Sequence, residues 1–266
     1  MTESADSRAA VAERAATAGA EFAVEQFRTG IAAESKATPT DFVTEADRGA
    51  QKRVIEEITA AYPGEPIVGE EDDAPKTVPA DGPAWIVDPI DGTNNFVNGI
   101  RLWGTAVAAV VDAEPVAASV VLPAVGDTYT ADAETASRNG SEIEVSDVEK
   151  PELATVAPTL WWDRDHRDDY AAMTGEIVHR FDDLRRFGSA QATLAMVADG
   201  SIEAVVSDLR APPWDSVAGV HLVRTAGGTA TDVDGERWRH DSQGLVVSNN
   251  DIHEAAQAAV EGVVDR

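Results

Sequence analysis

Asp88 and Asp91 stand three positions apart in the stretch WIVDPIDGTNNF, residues 85–96. The apolar run Trp85-Ile86-Val87 leads into Asp88, Pro89 and Ile90 precede Asp91, and after Gly92 and Thr93 a hydrophobic pattern restarts at Asn94-Asn95-Phe96. This pattern predicts a buried strand that ends in a tight polar turn. Carboxylates carried into such a place are costly unless something positive meets them. A divalent cation that takes hard oxygen ligands, magnesium or calcium, is a fitting partner. The backbone N–H groups after Gly92, at the start of a following helix, would point at an anion. Metal and anion together mean phosphate chemistry. In a chain with 48 acidic residues most Asp pairs are solvated surface. Asp88 and Asp91 differ because apolar residues flank them and a Pro and a Gly lock the turn.

The elements that must position these groups follow from composition and periodicity. With 266 residues and 43% hydrophobic content, the chain can build a proper core as one large domain or two small ones. No stretch approaches the ~20 apolar residues of a membrane span, and the N-terminus MTESADSRAA lacks the features of a signal peptide, so a cytoplasmic location is expected. Cysteine is absent, which removes disulfides, thiolate metal sites and a Cys nucleophile. The net charge is −27, and the only lysines are Lys36, Lys52, Lys76 and Lys150. Such a surface repels nucleic acid and anionic membranes, so neither is an expected partner. It also repels itself in dilute buffer, while salt at 1 M shortens the Debye length to ~3 Å, which suggests a salt-loaded cytoplasm. A phosphate ester would then have to be drawn in by local cations.

Along the chain, residues 7–27 read as an amphipathic helix stopped at Gly30. Thr44 and Asp47 fit the spacing of a capping box for a second helix that ends at Pro63, so Asp47 falls in its first turn. Ile67-Val68 is a short strand leading into Gly69-Glu70-Glu71, and Glu70 follows its strand as Asp88 follows the next. Strands are expected at 102–111, 117–122, 129–132 and 143–145, with Asp112 to Pro115 as a hairpin signal. The first half reads as helices on an antiparallel sheet. The polar stretch 144–152, with Pro151, marks the boundary, dividing the chain into 1–148 and 149–266. In the second half, strands at 155–157, 184–187, 202–206 and 245–247 alternate with helices at 168–179, 189–198, 215–226 and 252–263, an α/β pattern. Gly188-Ser189-Ala190 opens one of those helices, and Asp215 opens another after Pro212-Pro213-Trp214. Taken alone, each of these is an ordinary helix start. The five histidines fall in no motif.

Three motifs in order, Gly69-Glu70-Glu71, DPIDGTNNF and Trp214-Asp215-Ser216-Val217-Ala218-Gly219, resemble the signature of the inositol monophosphatase family of magnesium-dependent sugar phosphatases. The resemblance runs over nearly the whole chain. It implies an α+β and α/β fold, a layered α-β-α-β-α sandwich with an antiparallel sheet in the N-terminal half and a mixed C-terminal half, and usually a homodimer. It implies that two or three Mg²⁺ ions are held by Glu70, Asp88, the Ile90 carbonyl, Asp91 and Asp215, the last contributed by the second half. Asp47, Glu70 and Thr93 become the catalytic group, with Thr93 and Asp47 orienting and deprotonating the attacking water. Gly92, Thr93 and Lys36 would meet the phosphate, and Asp208 with Gly188, Ser189 and Ala190 the substrate hydroxyls. Asp208 departs from the pattern, since many relatives carry Glu there, and its reach is shorter.

The expected activity is metal-assisted hydrolysis of a phosphate monoester, inositol monophosphate or fructose 1,6-bisphosphate. Asn98-Gly99-Ile100, where animal-type relatives commonly carry His, leans toward the archaeal dual-specificity branch. A 3′(2′),5′-bisphosphate nucleotidase is the alternative, although no stacking groups for a nucleobase can be assigned. A non-catalytic metal-binding regulator of the same fold would have lost a ligand, and Asp47, Glu70, Asp88, Asp91, Thr93 and Asp215 are all present. An acidic calcium-binding surface protein would need EF-hand-like spacing, which is not seen.

Overall fold

Alanine dominates the buried side of the first helix, α1 (Arg8–Val24), which Ser7 caps by accepting from the Ala10 N–H at 3.2 Å. The computed structural model describes residues 7–30, 34–35, 42–43, 45–71, 74–160 and 162–264. Small side chains let α1 approach the second helix, α2 (Glu45–Ala61), closely: a Cβ on Gly19 would lie 2.7 Å from Val54 Cγ2. Between them β1 (Glu34–Ser35) and β2 (Phe42–Val43) pair antiparallel. Then come β3 (Ile67–Gly69), β4 (Pro83–Asp91) and the short α3 (Thr93–Val97). The strands β5 (Gly104–Val111), β6 (Glu114–Leu122), β7 (Asp127–Ala131), β8 (Ala136–Arg138) and β9 (Ser141–Glu142) complete a sheet of order β3-β4-β5-β6-β7-β8-β9, seven strands among the described residues. Only the β3–β4 pair is parallel.

The second half contributes β10 (Thr155–Pro158), α4 (Arg167–Arg180), β11 (Asp183–Leu184), α5 (Ala190–Ala198), β12 (Ala204–Ser207), α6 (Val217–Thr225), β13 (Thr229–Thr231), β14 (Leu245–Ser248) and α7 (His253–Val264). Its sheet, β11-β10-β12-β14-β13, is parallel on the β11-β10-β12 side and antiparallel beyond.

Alternation along the strands assigns the layers. In β4, Trp85 and Val87 pack with Val11, Ala15 and Val54 of α1 and α2, whereas Ala84 and Ile86 pack with Leu194 of α5 and Val220 of α6. In β12, Val205 joins that same central layer, and Ala204 and Val206 face Ile177 of α4 and Val260 of α7. The result is the expected sandwich: α1 and α2, a sheet, α5 and α6, a second sheet, α4 and α7. Because both faces of β4 are covered, it reads as a nearly continuous apolar run.

Several expectations need correction. β4 does not stop at Asp88 but runs to Asp91 through a register shift, so the turn begins three residues later than the apolar run suggests. The 112–115 hairpin tightens to Asp112 and Ala113, both left-handed at φ 52° and 62°, and Glu114 and Pro115 already pair with β5. Residues 143–145 form no strand: Val145 N–H donates instead to Ala226 O at 3.1 Å, past the end of α6. The 184–187 strand shrinks to Asp183–Leu184, and α6 starts at Val217, leaving Asp215 in the preceding turn.

One charged cluster fastens the N-terminus to the first sheet. Arg8 donates through both terminal nitrogens to Glu65, each at 2.7 Å, Trp85 Nε1 donates to the same carboxylate at 2.7 Å, and the guanidinium lies 4.5 Å from the Tyr62 ring centroid. The Arg8 hydrogen bonds hold the Glu65 carboxyl below the usual range against the opposing effect of burial. A depressed carboxylate contributes stability that is present above its unfolded-state pKa and is lost as pH falls through the folded value. Arg8→Met is therefore expected to lower unfolding free energy by about 1–3 kcal/mol at pH 7. Denaturant melts across pH check it: the gap between variant and wild type should close below the ordinary glutamate range, and a pH-independent gap would assign the effect to packing alone.

Candidate metal and phosphate site

The period-two alternation that sends Ile86 toward the central helices sends Asp88 the same way, opposite Ala106 of β5. Asp88 is only 1% exposed, and among the described residues neither of its carboxylate oxygens has a hydrogen-bond donor. Burial drives its pKa well up, and the charges of Glu70, Asp91 and Asp215 push it further. Glu70 is itself a carboxyl group, so it can donate to Asp88 only when protonated.

The shift in β4 then redirects the strand. Thr105 Oγ1 donates to the carbonyl of Pro89 at 2.7 Å and steadies the irregular stretch. Asp91, also buried, is treated in the opposite manner. It accepts from Ser189 Oγ, and from the N–H groups of Ala190 at 3.0 Å, Gln191 at 2.9 Å and Ala192 at 3.4 Å, so it sits on the N-terminus of α5. Burial raises its pKa to about 6 and these donors pull against that rise. Asp215 arrives from the Pro212-Pro213-Trp214 turn, with its N–H donating to Pro212 O at 3.2 Å. Asp88, Asp91 and Asp215 each offer an oxygen, all within 4.8 Å of one another.

Glu70 follows directly on β3, and its N–H donates to Val87 O at 3.3 Å, which brings it alongside Asp88. Its loop is braced twice. Gln51 of α2 accepts from Glu71 N–H at 2.9 Å and donates to Glu71 O at 3.0 Å, and Lys76 Nζ donates to the carbonyls of Gly69 and Glu70, both at 2.8 Å. Asp47, wholly buried in the first turn of α2, accepts from Thr93 Oγ1 at 3.2 Å, and Ile90 O lies 3.0 Å from the same hydroxyl. Gly92 is left-handed at φ 84°, and a Cβ there would meet Gly188 O and Ser189 Cβ at 3.0 Å, so only glycine suits the turn. Asn95 Nδ2 ties α3 to the second half by donating to Phe187 O at 2.7 Å.

The remaining expected residues are dispersed. Lys36 lies outside the described residues, as does Thr44 of the capping box. Asp208 accepts from Trp162 Nε1 at 2.8 Å. Ser189 and Ala190 turn to Asp91, and Gly188 instead lines a cavity of about 560 Å³. Sequence reasoning missed that cavity's other lining, the Trp162–Tyr170 stack at 4.8 Å between centroids with Arg167 and Arg186 beside it. These aromatic and basic groups come from two stretches, residues 162–170 and Arg186, that match no motif, and only the run Arg185-Arg186-Phe187 before Gly188 hinted at them. Gln51, Gln191 and Lys76 were also missed, because a brace acting on backbone atoms has no signature in residue type.

The residues fit a divalent cation. An orphaned, fully buried carboxylate inside a cluster of three others is a poor arrangement for a protein alone and a good one for hard-cation ligation.

A model of the inositol monophosphatase family matches residues 4–265. The fructose-1,6-bisphosphatase/inositol-1-monophosphatase of Thermotoga maritima is 34% identical over 87% of each chain, and the inositol-1-monophosphatase of Bacillus subtilis 31% identical over 83% of each. A histidinol-phosphatase of Chlorobaculum parvum is 32% identical over 82% of this chain and 83% of its own. Among solved structures, a Thermotoga maritima IMPase superposes with a TM-score of 0.85 at 30% identity, covering 96% of both chains. The extragenic suppressor protein suhB of Bartonella henselae gives 0.87 at 27% identity, covering 95% of this chain and 97% of its own. On this match and these relatives, the chain belongs to the inositol monophosphatase family and is a metal-dependent hydrolase of phosphate monoesters.

Proposed function

We propose that the enzyme uses Mg²⁺ to hydrolyse inositol monophosphate, fructose 1,6-bisphosphate or both. The observation that carries this reading is Asp88, without a donor among the described residues and set between Glu70, Asp91 and Asp215. Glu70, Asp88 and the Ile90 carbonyl would hold one ion, and Asp88, Asp91 and Asp215 a second. Bound there, the cations supply Lewis acidity, make water easier to deprotonate and neutralise charge on the phosphoryl group. The chain's own part in proton handling is the Thr93–Asp47 pair. A water that donates to Thr93 Oγ1 can pass its proton toward Asp47 Oδ1, 3.2 Å away and buried, where a carboxylate is the acceptor at hand. Gly92 and Thr93 would contact the phosphate, and the neighbouring cavity would take the alcohol that leaves.

Asn94 and Asn98 give the cavity amides for hydroxyl groups, and Gly188 opens its wall. The relatives' names support both substrates, since one is a fructose-1,6-bisphosphatase/inositol-1-monophosphatase and another an inositol-1-monophosphatase. The cavity does hold the aromatic stack of Trp162 and Tyr170 that the sequence left unassigned, but none of the relatives reported above is named a nucleotidase, so a nucleotidase and a non-catalytic regulator are not favoured. The reading includes a division near residue 148, with Asp215 reaching the site from the second part. It also includes a homodimer and a saline cytoplasm, the latter supported by the net charge of −27. The test is phosphate release from inositol 1-phosphate, fructose 1,6-bisphosphate and 3′-phosphoadenosine 5′-phosphate in molar KCl, with and without Mg²⁺. Mg²⁺-dependent release from either of the first two is expected; release from the nucleotide alone would overturn the substrate assignment.

Two substitutions separate the roles of the paired aspartates. Asp88→Asn should reduce turnover to background while leaving the metal-free protein at least as stable as wild type, because a buried repelling charge is removed. Asp91→Asn should also stop turnover, but it should cost roughly 1–2 kcal/mol of metal-free stability, since one carboxylate oxygen that caps α5 is lost. Calorimetry of the metal-free variants reads the difference, and equal stability would contradict the capping role. Adding Mg²⁺ at a hundredfold its dissociation constant should stabilise wild type by about 2.7 kcal/mol and Asp88→Asn by much less.

A further inference from the structure

Gln191 touches both segments that bring carboxylates together from opposite halves of the molecule. Its backbone N–H donates to Asp91 Oδ2 at 2.9 Å, at the start of α5. Its side chain, wholly buried, reaches the other way: Nε2 donates to Trp214 O at 2.5 Å and Oε1 accepts from Gly219 N–H at 2.7 Å. Those two contacts bracket Asp215, one residue after Trp214. The Gly219 amide lies in the first turn of α6, where no carbonyl of its own helix is available to it, so the glutamine fills a bond the helix leaves open. Close packing locks the arrangement, because a Cβ on Gly219 would meet Leu194 Cβ at 2.4 Å and Gln191 Oε1 at 2.9 Å. With both ends of the amide used, the side chain has a single orientation.

We infer that Gln191 is a positioning residue that fixes the spacing between Asp91 and Asp215 before any cation arrives, and so makes the site select the smaller of the hard divalent cations. The inference rests on the metal reading above. Mg²⁺ demands near-ideal octahedral geometry at ~2.0–2.1 Å, whereas Ca²⁺ accepts irregular cages at ~2.3–2.6 Å. A register held by a buried amide favours the first, and a turn free to relax gives the second its choice of distances. Groups that orient ligands without touching the ion typically change metal affinity by about 10–100-fold when removed.

The test is calorimetric titration of the metal-free protein with Mg²⁺ and with Ca²⁺, for wild type and Gln191→Met, which keeps length and apolar bulk but removes both side-chain bonds. The expected result is Mg²⁺ affinity weakened about tenfold, at the lower end of that range, and Ca²⁺ affinity changed much less, so that the preference for Mg²⁺ falls. Equal weakening of both, or no change in either, refutes the inference and leaves Gln191 a plain structural residue. Hydrogen exchange on the metal-free wild type gives a second readout that needs no variant. The Gly219 amide should be protected before metal is added, and an unprotected amide that gains protection only with Mg²⁺ would overturn preset spacing. A wild-type protein that binds neither cation refutes the metal reading itself, whereas normal binding with an unchanged preference refutes this inference alone.

Discussion

The structure is arranged around a carboxylate, Asp88, that no described residue satisfies. Asp88 is carried on a strand paired at both edges into the layer between the two sheets, and no described residue there donates to it. A fold can tolerate that only if its other contacts hold the strand in place, and β4 has helices on one face, helices on the other and a hydrogen-bonded neighbour at each edge. The charge is thus forced inward by packing made elsewhere. What the fold leaves undone at Asp88 is what the proposed cation would complete.

Three aspartates of one chemical type meet in one place and are handled in three ways. Asp91 spends its lone pairs on a helix start and so serves the fold as well as the site. Asp88 has no second duty. Asp215 sits outside its helix, on a turn whose shape is fixed by two prolines before it and a glycine-floored helix behind it. Environment divides the roles more sharply than residue type does, which is why the pKa of Asp91 is raised only to about 6 while burial and three acidic neighbours drive Asp88 well above its ordinary value.

Much of this was legible in the residues themselves. The strand leading into Asp88, the helix start after Gly188 and the alternation of strands and helices beyond residue 150 follow from period and punctuation. The convergence of Asp88, Asp91 and Asp215 was readable only through a resemblance covering three motifs, because no local rule links residues so distant in the chain. Bulges and tight turns were less legible. The register shift before Asp91 and the Asp112–Ala113 turn come from cross-strand pairing, and Ala113 has none of the usual markers of a left-handed residue. The braces were least legible of all: Gln51 and Gln191 look like solvent-facing residues of amphipathic helices until their partners are known to be backbone atoms.

The split origin of the cluster also has a bearing on how the protein is made. Synthesis proceeds from the N-terminus, so the ribosome releases Glu70, Asp88 and Asp91 long before Asp215, and α5, whose amides cap Asp91, emerges between them. An unfinished chain therefore carries acids with neither their helix nor their last companion, and it has every reason to keep that strand wet. Until Asp215 joins Asp88 and Asp91, the proposed cation site lacks one of its three clustered carboxylates.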